Sequence, residues 1–392
     1  MRAEEIIQRQ LEVDLRHIHL ARVRVVFAAV RTLIRSGRLS LTSLGRAIAE
    51  QTSPKHGIKR MDRLLGNSRL HSERLIFYRA IARRVLPQHS RPLVIVDWTA
   101  VTPKFWAIVA AVPCEGRAII VYAETHPISR YLKPYVNSAF LFRLKKVLPV
   151  GCRPVIVADA GFRSPFMKLV ARYGWDYLIR LRGPAKIRRG AGRPWVNIPF
   201  IFGQAGSSTP TDFGDVEIGQ QVRHVCRLVG TSNTIQHRSY RCRTRGGVSV
   251  RRERRAAHEP WLLATSLDVE PGRVVEMYRH RMQIEETFRD AKSYRFGFAL
   301  THARTKSTRR ADVLLLLAAL GHLFAVLLGI AAEAGRLQRH FQANTLKTRR
   351  VLSLPMLGRL LLTSGREHLF KARDLARAWP RLLARLRESF AL

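Results

Sequence analysis

The sequence predicts a mixed α/β protein with a β-rich insertion, flanked by helical regions at both ends. Apolar residues recur at three- and four-residue spacing through the first 90 residues, as in amphipathic helices. Short β-branched runs then alternate with helical patterns, which is typical of an α/β core. A Gly- and Arg-rich stretch with short alternating pieces follows, and helical patterns return after the strand-like segment PWLLATSL.

These patterns divide the chain into regions that we expect to fold as distinct parts. In chain order they are a helical N-terminal domain (1–90), the first part of the core (91–183), the β-rich insertion (184–259), the remainder of the core (260–335) and a C-terminal helical region (336–392). The insertion includes VRHVCRLV and HRSYRCR, which read as short strands. The C-terminal region is a candidate for dimerisation.

The charge of the chain predicts a polyanionic partner. Lys and Arg number 69 against 28 Asp and Glu, a formal net charge of +41 spread over the whole length. Release of counterions gives such surfaces their affinity for nucleic acid, and this partner is favoured over an anionic membrane. No GxxxxGK[ST] phosphate loop occurs in the sequence, so nothing in it supports ATP-driven chemistry.

Cysteine usage and the chain's apolar stretches predict a protein of the reducing cytoplasm. Four cysteines (Cys114, Cys152, Cys226 and Cys242) lie far apart without a CxxC motif, which argues against a zinc site and a disulfide scaffold. The charged N-terminus has no apolar core of a signal peptide. Residues 313–332 reach the length of a membrane span, but we favour a helix buried on all faces over a membrane segment.

The segment LTSLGRAIAEQTSPKHGIKRMDRLLGN predicts two helices with a break at Pro54. At about 100° per residue, the second helix separates a cationic side from an apolar side. The cationic side carries Lys55, His56, Lys59, Arg60 and Arg63, and the apolar side carries Ile58, Met61, Leu64 and Leu65. This layout is that of a helix-turn-helix. An ordinary amphipathic helix with a solvated basic face explains the stretch equally well.

Two aspartates end predicted strands in the first part of the core. Asp97 follows the run LVIV and Asp159 ends PVIVADA, so both carboxylates emerge where open α/β sheets place their active sites. A single strand-end Asp is usually a turn or cap residue. If the two strands are neighbours, a cation between the carboxylates would relieve their repulsion, and Mg²⁺ prefers such oxygen ligands. The pair therefore suggests metal-assisted phosphodiester chemistry.

The segment YRHRMQIEETFRDAK, residues 278–292, would supply a third carboxylate if it formed one continuous helix. With Tyr278 at zero and about 100° per residue, the residues of one side fall within about 80°. They are Tyr278, Arg281, Glu285, Arg289 and Lys292. An adjoining apolar side carries Met277, Ile284, Phe288 and Ala291. A surface helix held by charge pairs such as Glu285 with Arg281 or Arg289 is the alternative.

At these residues the chain resembles the insertion-sequence transposases of the DDE class that carry a Tyr-(2)-Arg-(3)-Glu-(6)-Lys signature. Tyr278, Arg281, Glu285 and Lys292 match that spacing without insertion. The likeness extends to Asp97-Trp98-Thr99, to ETHP, and to Asp159-Ala160-Gly161-Phe162, and it covers about residues 90–300. The N-terminal KHGIKRMDRLLGN is also similar to this group. Met282 stands where members often carry Trp, and Trp98 is bulkier than the residue usual after the first Asp.

The resemblance implies an RNase H-like core and a metal-dependent DNA transposase. It implies that Asp97, Asp159 and Glu285 bind two Mg²⁺ ions, with Mn²⁺ as a substitute, and that Tyr278, Arg281 and Lys292 contact phosphates of the transposon end. We further expect Arg289, Lys55, Lys59, Arg60 and Arg63 to bind DNA. The partners would be terminal inverted repeats and target double-stranded DNA, in a synaptic complex of a homodimer. We expect a bacterial protein of the cytoplasm, associated with the nucleoid and not with a membrane.

Two other functions remain open from the sequence. A nuclease of the same fold would cleave DNA without joining it, and a noncatalytic DNA-binding regulator would need the basic surface but not the three acids. Trp261 could stack on a flipped base, although its place before LLATSL favours a core position.

Overall fold

The computed structural model describes residues 3–49, 52–183, 185–202, 209–232, 259–295, 297–343, 345–346 and 349–389. The chain forms two compact units. The first contains residues 1–152 and 282–392, and the second contains residues 153–281. The predicted mixed α/β class is confirmed, and the architecture is consistent with an RNase H-like transposase core.

The first unit begins with helices and continues into a strand meander. Its helices are α1 (Ala3–Glu12), α2 (Leu20–Ser36), α3 (Leu41–Ile48), α4 (Pro54–Leu65) and α5 (Ser68–Val85). They are followed by β1 (Leu93–Ala100), β2 (Phe105–Cys114), β3 (Arg117–Pro127) and α6 (Pro134–Val147). Within this unit β2 pairs antiparallel with both β1 and β3.

The second unit is built around strands. In chain order its elements are β4 (Val155–Ala158), α7 (Ser164–Arg172), β5 (Asp176–Leu181), β6 (Lys186–Arg188), β7 (Val196–Asn197), α8 (Ile198–Phe202), β8 (Thr211–Ile218), β9 (His224–Thr231), β10 (Trp261–Thr265) and α9 (Pro271–Arg279). Its described strands lie in the order β4-β5-β10-β9-β8-β6-β7. The pair β4 and β5 is parallel, as expected for strands joined by a helix. The predicted strand in HRSYRCR lies outside the described residues.

The chain then returns to the first unit and is helical in its described remainder. The helices are α10 (Met282–Lys292), α11 (Thr308–Ala334), α12 (Leu354–Thr363), α13 (Ala372–Ala376) and α14 (Ala378–Ser389). Short 3₁₀ turns connect several of them.

Helix α11 forms the centre of the first unit's core. It contains the apolar stretch 313–332, and every residue of its most apolar window is buried inside the fold. By length and composition alone the helix could cross a membrane, but a uniformly apolar helix is also what a fully enclosed core position requires. The prediction of a helix buried on all faces is confirmed.

Candidate active site

Asp97 lies within β1 of the first unit's three-stranded meander, so the prediction that it ends its strand is wrong. It is the fifth residue of β1, is paired in register with Val109 of β2, and is only 7% exposed. Its Oδ1 accepts the backbone N–H of Trp98 at 2.8 Å. Because side chains alternate along a strand, Asp97 and Trp98 project from opposite faces of the meander.

Helix α10 is fixed to the β2–β3 hairpin by polar side chains on one of its faces. The Gln283 Oε1 atom accepts the backbone N–H of Cys114 at 2.9 Å and that of Gly116 at 3.2 Å. The Thr287 hydroxyl oxygen accepts the N–H of Ala118 at 2.7 Å. Asp290 completes the face with an ion pair to Arg117, 2.6 Å between Nε and Oδ2. These contacts fix the rotation of α10 about its axis.

We call Gln283, Thr287 and Asp290 the polar clamp. The periodicity of apolar residues, from which the packing face of the helix was predicted, does not reveal it. Ile284 and Phe288 are buried as predicted, so the apolar contribution exists. The sequence feature that could have revealed the polar contacts is the spacing of Gln283, Thr287 and Asp290. Intervals of four and three residues place these side chains on one side of a helix. Short polar side chains at that spacing are suited to cap the open hydrogen-bonding groups of a hairpin end.

The face of α10 roughly opposite the clamp carries Glu285, Arg289 and Lys292. At about 100° per residue these three positions fall within about 60° of one another. Glu285 is half-buried, whereas the side chain of Arg289 is 69% exposed and forms an ion pair with Glu286 at 2.8 Å. Exposed pairs of this kind contribute little to stability.

Lys292 connects α10 electrostatically to β1. Burial lowers the pKa of its ammonium group below the ordinary value, and the carboxylate of Asp97 opposes that shift by favouring the charged form. Its Nζ lies 5.9 Å from the centroid of the Phe288 ring. The structure thus brings a buried carboxylate and a partly desolvated cation together in the first unit.

The prediction of one continuous helix over residues 278–292 is wrong. Helix α9 ends at Arg279, His280 and Arg281 form a turn, and α10 begins at Met282. The N–H groups of His280 and Arg281 bond to carbonyls three residues back, at 3.3 and 3.0 Å. This tightening ends the i to i−4 ladder, and the boundary between the two compact units falls at the same place.

The break places Tyr278 in the second unit, in a buried environment. Tyr278 is 3% exposed, and its ring packs edge-to-face against Trp261 with centroids 5.0 Å apart. Trp261 is itself half-buried at the start of β10. An edge-to-face pair of this kind contributes to packing, in agreement with the core position favoured for Trp261. Arg281 interacts electrostatically with the buried guanidinium of Arg180.

Asp159 directly follows β4 in the second unit and is half-buried. Its Oδ1 accepts the backbone N–H of Gly161 at 2.9 Å, and its carbonyl accepts the N–H of Phe162 at 3.2 Å. These bonds turn the chain towards α7 and hold the carboxylate at the end of the strand, as the sequence predicted. Asp97 and Glu285 belong to one compact unit and Asp159 to the other.

A cationic cavity of about 370 Å³ in the second unit was not predicted. Its lining includes Ala160, which directly follows Asp159 in the chain. The cationic residues of the lining are Arg163, Arg180, Arg182 and Lys186. Burial lowers the pKa of Arg180, and Arg182 forms an ion pair with Glu259 at 2.5 Å. The sequence feature that could have predicted the cavity is the pair Arg180 and Arg182 in the strand DYLIRLRG. Residues two apart in a strand lie on the same face of the sheet.

Helix α4 has the two-sided layout that the sequence predicted. Its cationic residues are all exposed: Lys55, His56, Lys59, Arg60 and Arg63. Met61, Leu64 and Leu65 are buried, and Ile58 is half-buried. Helix α3 packs directly against α4, and the cations of α4 are on the exposed side of this pair.

The donor atoms of the candidate residues suit a hard divalent cation. Asp97, Asp159 and Glu285 offer carboxylate oxygens, the ligands that Mg²⁺ prefers. Within the described part of each unit, no group of three or more His, Cys, Asp or Glu side chains could by itself hold a metal ion. Transposases with a DDE domain generally use divalent metal ions.

Comparison with known families agrees with the resemblance to DDE transposases and does not test the Tyr-Arg-Glu-Lys subgroup. The family model described as "Transposase DDE domain" matches residues 89–321, more than half of the chain. The matched range contains Asp97, Asp159 and Glu285, begins shortly before β1 and ends within α11. A search among curated proteins gives no match.

Proposed function

We propose, from the premise that this chain belongs to the family of transposases with a DDE domain, that it hydrolyses phosphodiester bonds at transposon ends and transfers the freed 3′-OH into target DNA. Asp97, Asp159 and Glu285 would be the carboxylates that hold two Mg²⁺ ions, with Mn²⁺ as a substitute. Metal ions held there would lower the pKa of an attacking water and stabilise the leaving 3′ oxygen. No covalent intermediate with the protein is required.

The main support for the proposal is the electrostatic interaction between Asp97 on β1 and Lys292 on α10. Asp97 is buried, and its carboxylate acts electrostatically on Lys292, whose own helix also bears Glu285. Functional sites are where buried carboxylates and partly desolvated cations are commonly placed together, and this supports the proposal. The polar clamp on the hairpin fixes the helix on which both residues are presented.

The chain's own side chains would bind and orient the DNA. Lys292, close to Asp97, would hold a phosphate next to the scissile bond. Arg281 and the exposed Arg289 would contact further phosphates of the transposon end. Tyr278 would act mainly by packing against Trp261, because so little of its ring is exposed.

The exposed cations of α4 would bind the terminal inverted repeats, with the α3–α4 pair docked as a helix-turn-helix. Two terminal repeats must be brought together before strand transfer, which favours a homodimer in a synaptic complex. The C-terminal helices are the candidate contact for this dimer. A polyanion-binding enzyme of this kind would work in the bacterial cytoplasm, associated with the nucleoid and not with a membrane.

The test compares Glu285→Gln with Glu286→Gln on DNA carrying the ends of the flanking element. Both substitutions keep side-chain size and remove one negative charge from neighbouring positions of α10. We expect Glu285→Gln to lower Mg²⁺-dependent cleavage by at least about a hundredfold, the scale on which one electrostatic stabiliser acts, while DNA binding is retained. Glu286→Gln should cleave normally, since Glu286 pairs with exposed Arg289.

Other outcomes would point to other functions. Equal cleavage by both variants would mean that Glu285 is not a metal ligand. Cleavage without joining of a pre-cut 3′ end to target DNA would identify a nuclease. DNA binding without cleavage by the unmodified chain would leave a noncatalytic regulator.

A further inference from the structure

Four aromatic rings adjoin one another on the face of the β1–β3 meander opposite Asp97. The Trp98 and Tyr131 rings meet edge-to-face with centroids 5.4 Å apart, and Trp106 and Tyr131 lie 4.7 Å apart at a tilt of 52°. The Trp98 ring also lies 5.8 Å from that of His126. We call Trp98, Trp106, His126 and Tyr131 the aromatic surface.

The aromatic surface runs from the core to solvent. Trp98 is 7% exposed, Trp106 is half-buried, and Tyr131 is 38% exposed. A large ring that is open to solvent on one side and supported by a second ring on the other is a ready platform for stacking. The support also means that little conformational freedom remains to be lost when a planar ligand binds.

Tyr131 is held in position by the backbone around it. It follows a single 3₁₀ turn, Ile128–Arg130, and its N–H bonds to the carbonyl of Ile128 at 3.0 Å. The turn is tied to the start of β2, since the N–H of Ile128 bonds to the carbonyl of Lys104 at 3.0 Å. Leu132, next in the chain, has a φ of +56°, a conformation that non-glycine residues rarely adopt.

Exposed cations lie close in the chain to residues of the aromatic surface. Lys104, Arg130 and Lys133 are all exposed in the two segments that carry Trp106 and Tyr131. Glu124, the acidic residue that β3 places on this face, is buried and accepts hydrogen bonds from Tyr122 at 2.6 Å and Arg143 at 2.9 Å. Its other oxygen lies 2.9 Å from the Nε2 atom of His126. Glu124 is therefore enclosed by its own partners, and the ligand-facing charge is positive.

We propose that the aromatic surface, with Lys104, Arg130 and Lys133, binds a DNA segment whose bases are unpaired or unstacked. Positive charge attracts the backbone, and an exposed, supported ring stacks on an accessible base; paired bases in an intact duplex offer no free face. The proposal rests on the proposed function only for DNA as the partner. Because Trp98 and Asp97 point to opposite faces of β1, this surface is separate from the carboxylate side.

The test compares binding of two fluorescein-labelled DNA molecules, a single strand of about 15 nucleotides and its duplex. This length is within the usual site size of single-strand-binding surfaces. The protein carries Glu285→Gln and no divalent metal is added, so cleavage does not interfere. The salt concentration is raised until the nonspecific ionic contribution is suppressed. Fluorescence anisotropy then gives the dissociation constants.

Tyr131→Ala should weaken single-strand binding by about five- to 150-fold, the range for loss of one stacked base, and should change duplex binding much less. Tyr131→Phe should bind like the parent, since the phenyl ring also stacks. The control is Phe200→Ala in the second unit, which removes an aromatic ring that is 72% exposed. Equal affinities for Tyr131→Ala and Phe200→Ala, or equal losses on both DNA forms, would overturn the proposal.

The outcomes separate this proposal from the transposase proposal. If Tyr131→Ala leaves single-strand binding unchanged while the unmodified chain cleaves and joins DNA, the aromatic surface fails and the transposase assignment stands. If the Tyr131→Ala effect is found but Glu285→Gln does not alter cleavage by the otherwise unmodified chain, the surface binds DNA and the catalytic assignment fails.

Discussion

At the scale of single residues, His322 is an imidazole enclosed in the apolar core helix. It is 5% exposed, and its Nε2 has no hydrogen-bond partner among the described residues. Burial lowers its pKa from 6.5 to about 4; the nearby Asp290 carboxylate raises the pKa and the Arg117 guanidinium lowers it. The ring is therefore neutral in the folded protein near neutral pH.

This burial predicts a pH-dependent loss of stability that belongs to His322. Below pH 6.5 the unfolded chain binds a proton that the folded chain binds only near pH 4, so stability falls as the pH is lowered through this window. The loss should be about 2 kcal/mol between pH 7 and pH 5. His322→Leu should remove it, measured by urea unfolding at both pH values.

The comparison is between variants, because other groups also titrate in this range. The same substitution at exposed His17 is the control, because it removes a histidine that lies outside the core. If His322→Leu loses as much stability on acidification as the parent, the imidazole already has a buried partner or is charged in the fold.

The sequence predicted the types and local positions of the candidate site residues better than their surroundings. Asp159 follows β4 directly, as its apolar run predicted, because such runs depend on local burial alone. Asp97 instead lies inside β1, because pairing with β2 extends that strand to Ala100, past the apolar run. The burial of Tyr278 under Trp261 could not be predicted, because two segments distant in sequence create it. The same holds for Lys292, whose pKa is lowered by burial in the folded chain and not by any feature of its own segment.

At the scale of elements, helices α3 and α4 approach so closely that glycine is required on both. A Cβ at Gly57 would lie 2.0 Å from the carbonyl oxygen of Gly45 and 2.8 Å from the Cβ of Ala49. A Cβ at Gly45 would lie 2.4 Å from the Cα of Ile58. The crossing of the two helices, and hence the direction of the basic face of α4, depends on this contact.

Gly57→Ala should therefore separate α3 from α4 and destabilise that pair by about 1–3 kcal/mol or more, as overpacking does. Amide hydrogen exchange across both helices measures the effect directly, as faster exchange. Gly272→Ala is the matched control, since the added methyl group on α9 meets open space. Unchanged protection of α3 and α4 in Gly57→Ala would show that the helices can move apart at no cost.

The turn between α9 and α10 shows where helix prediction from periodicity reaches its limit. Residues 278–292 contain no proline or glycine, and their spacing satisfies one uninterrupted helix. The break at His280 and Arg281 coincides with the boundary between the two compact units, so tertiary structure decides it. By contrast, the ends of α4 were predictable because Pro54 begins the helix and Gly66 follows it.

At the scale of the whole molecule, the fold class was predictable because each part carries its own local pattern. The helical N-terminal region, the alternating core and the buried helix α11 agree with the sequence pattern, which burial and strand alternation generate directly. The arrangement of the strands in the second unit was not predicted, since β10 pairs with both β5 and β9, which are distant in sequence. Pairing of this kind leaves no local signal.

The distribution of charge over the molecule leads to a last prediction. The formal net charge of +41 by itself predicts nonspecific affinity for DNA from every face. If α4 instead contacts phosphates of the terminal repeat, removing its cations should lower the affinity for that DNA more than removing the same number of charges elsewhere. One variant places glutamine at Lys55, Lys59, Arg60 and Arg63. The control places glutamine at four exposed cations of the C-terminal region, Lys371, Arg373, Arg377 and Arg387.

Both variants lose the same four charges, so a difference between them reports position and not net charge. Each phosphate contact contributes a slope of about −0.9 to the plot of log affinity against log salt for duplex DNA. We expect the α4 variant to bind terminal-repeat DNA more weakly, with a slope shallower by up to about 4, and the C-terminal variant to keep nearly the parent slope. Titrations over a range of salt concentrations measure both quantities. Equal changes in the two variants would mean that the basic surface as a whole, and not α4, holds the DNA.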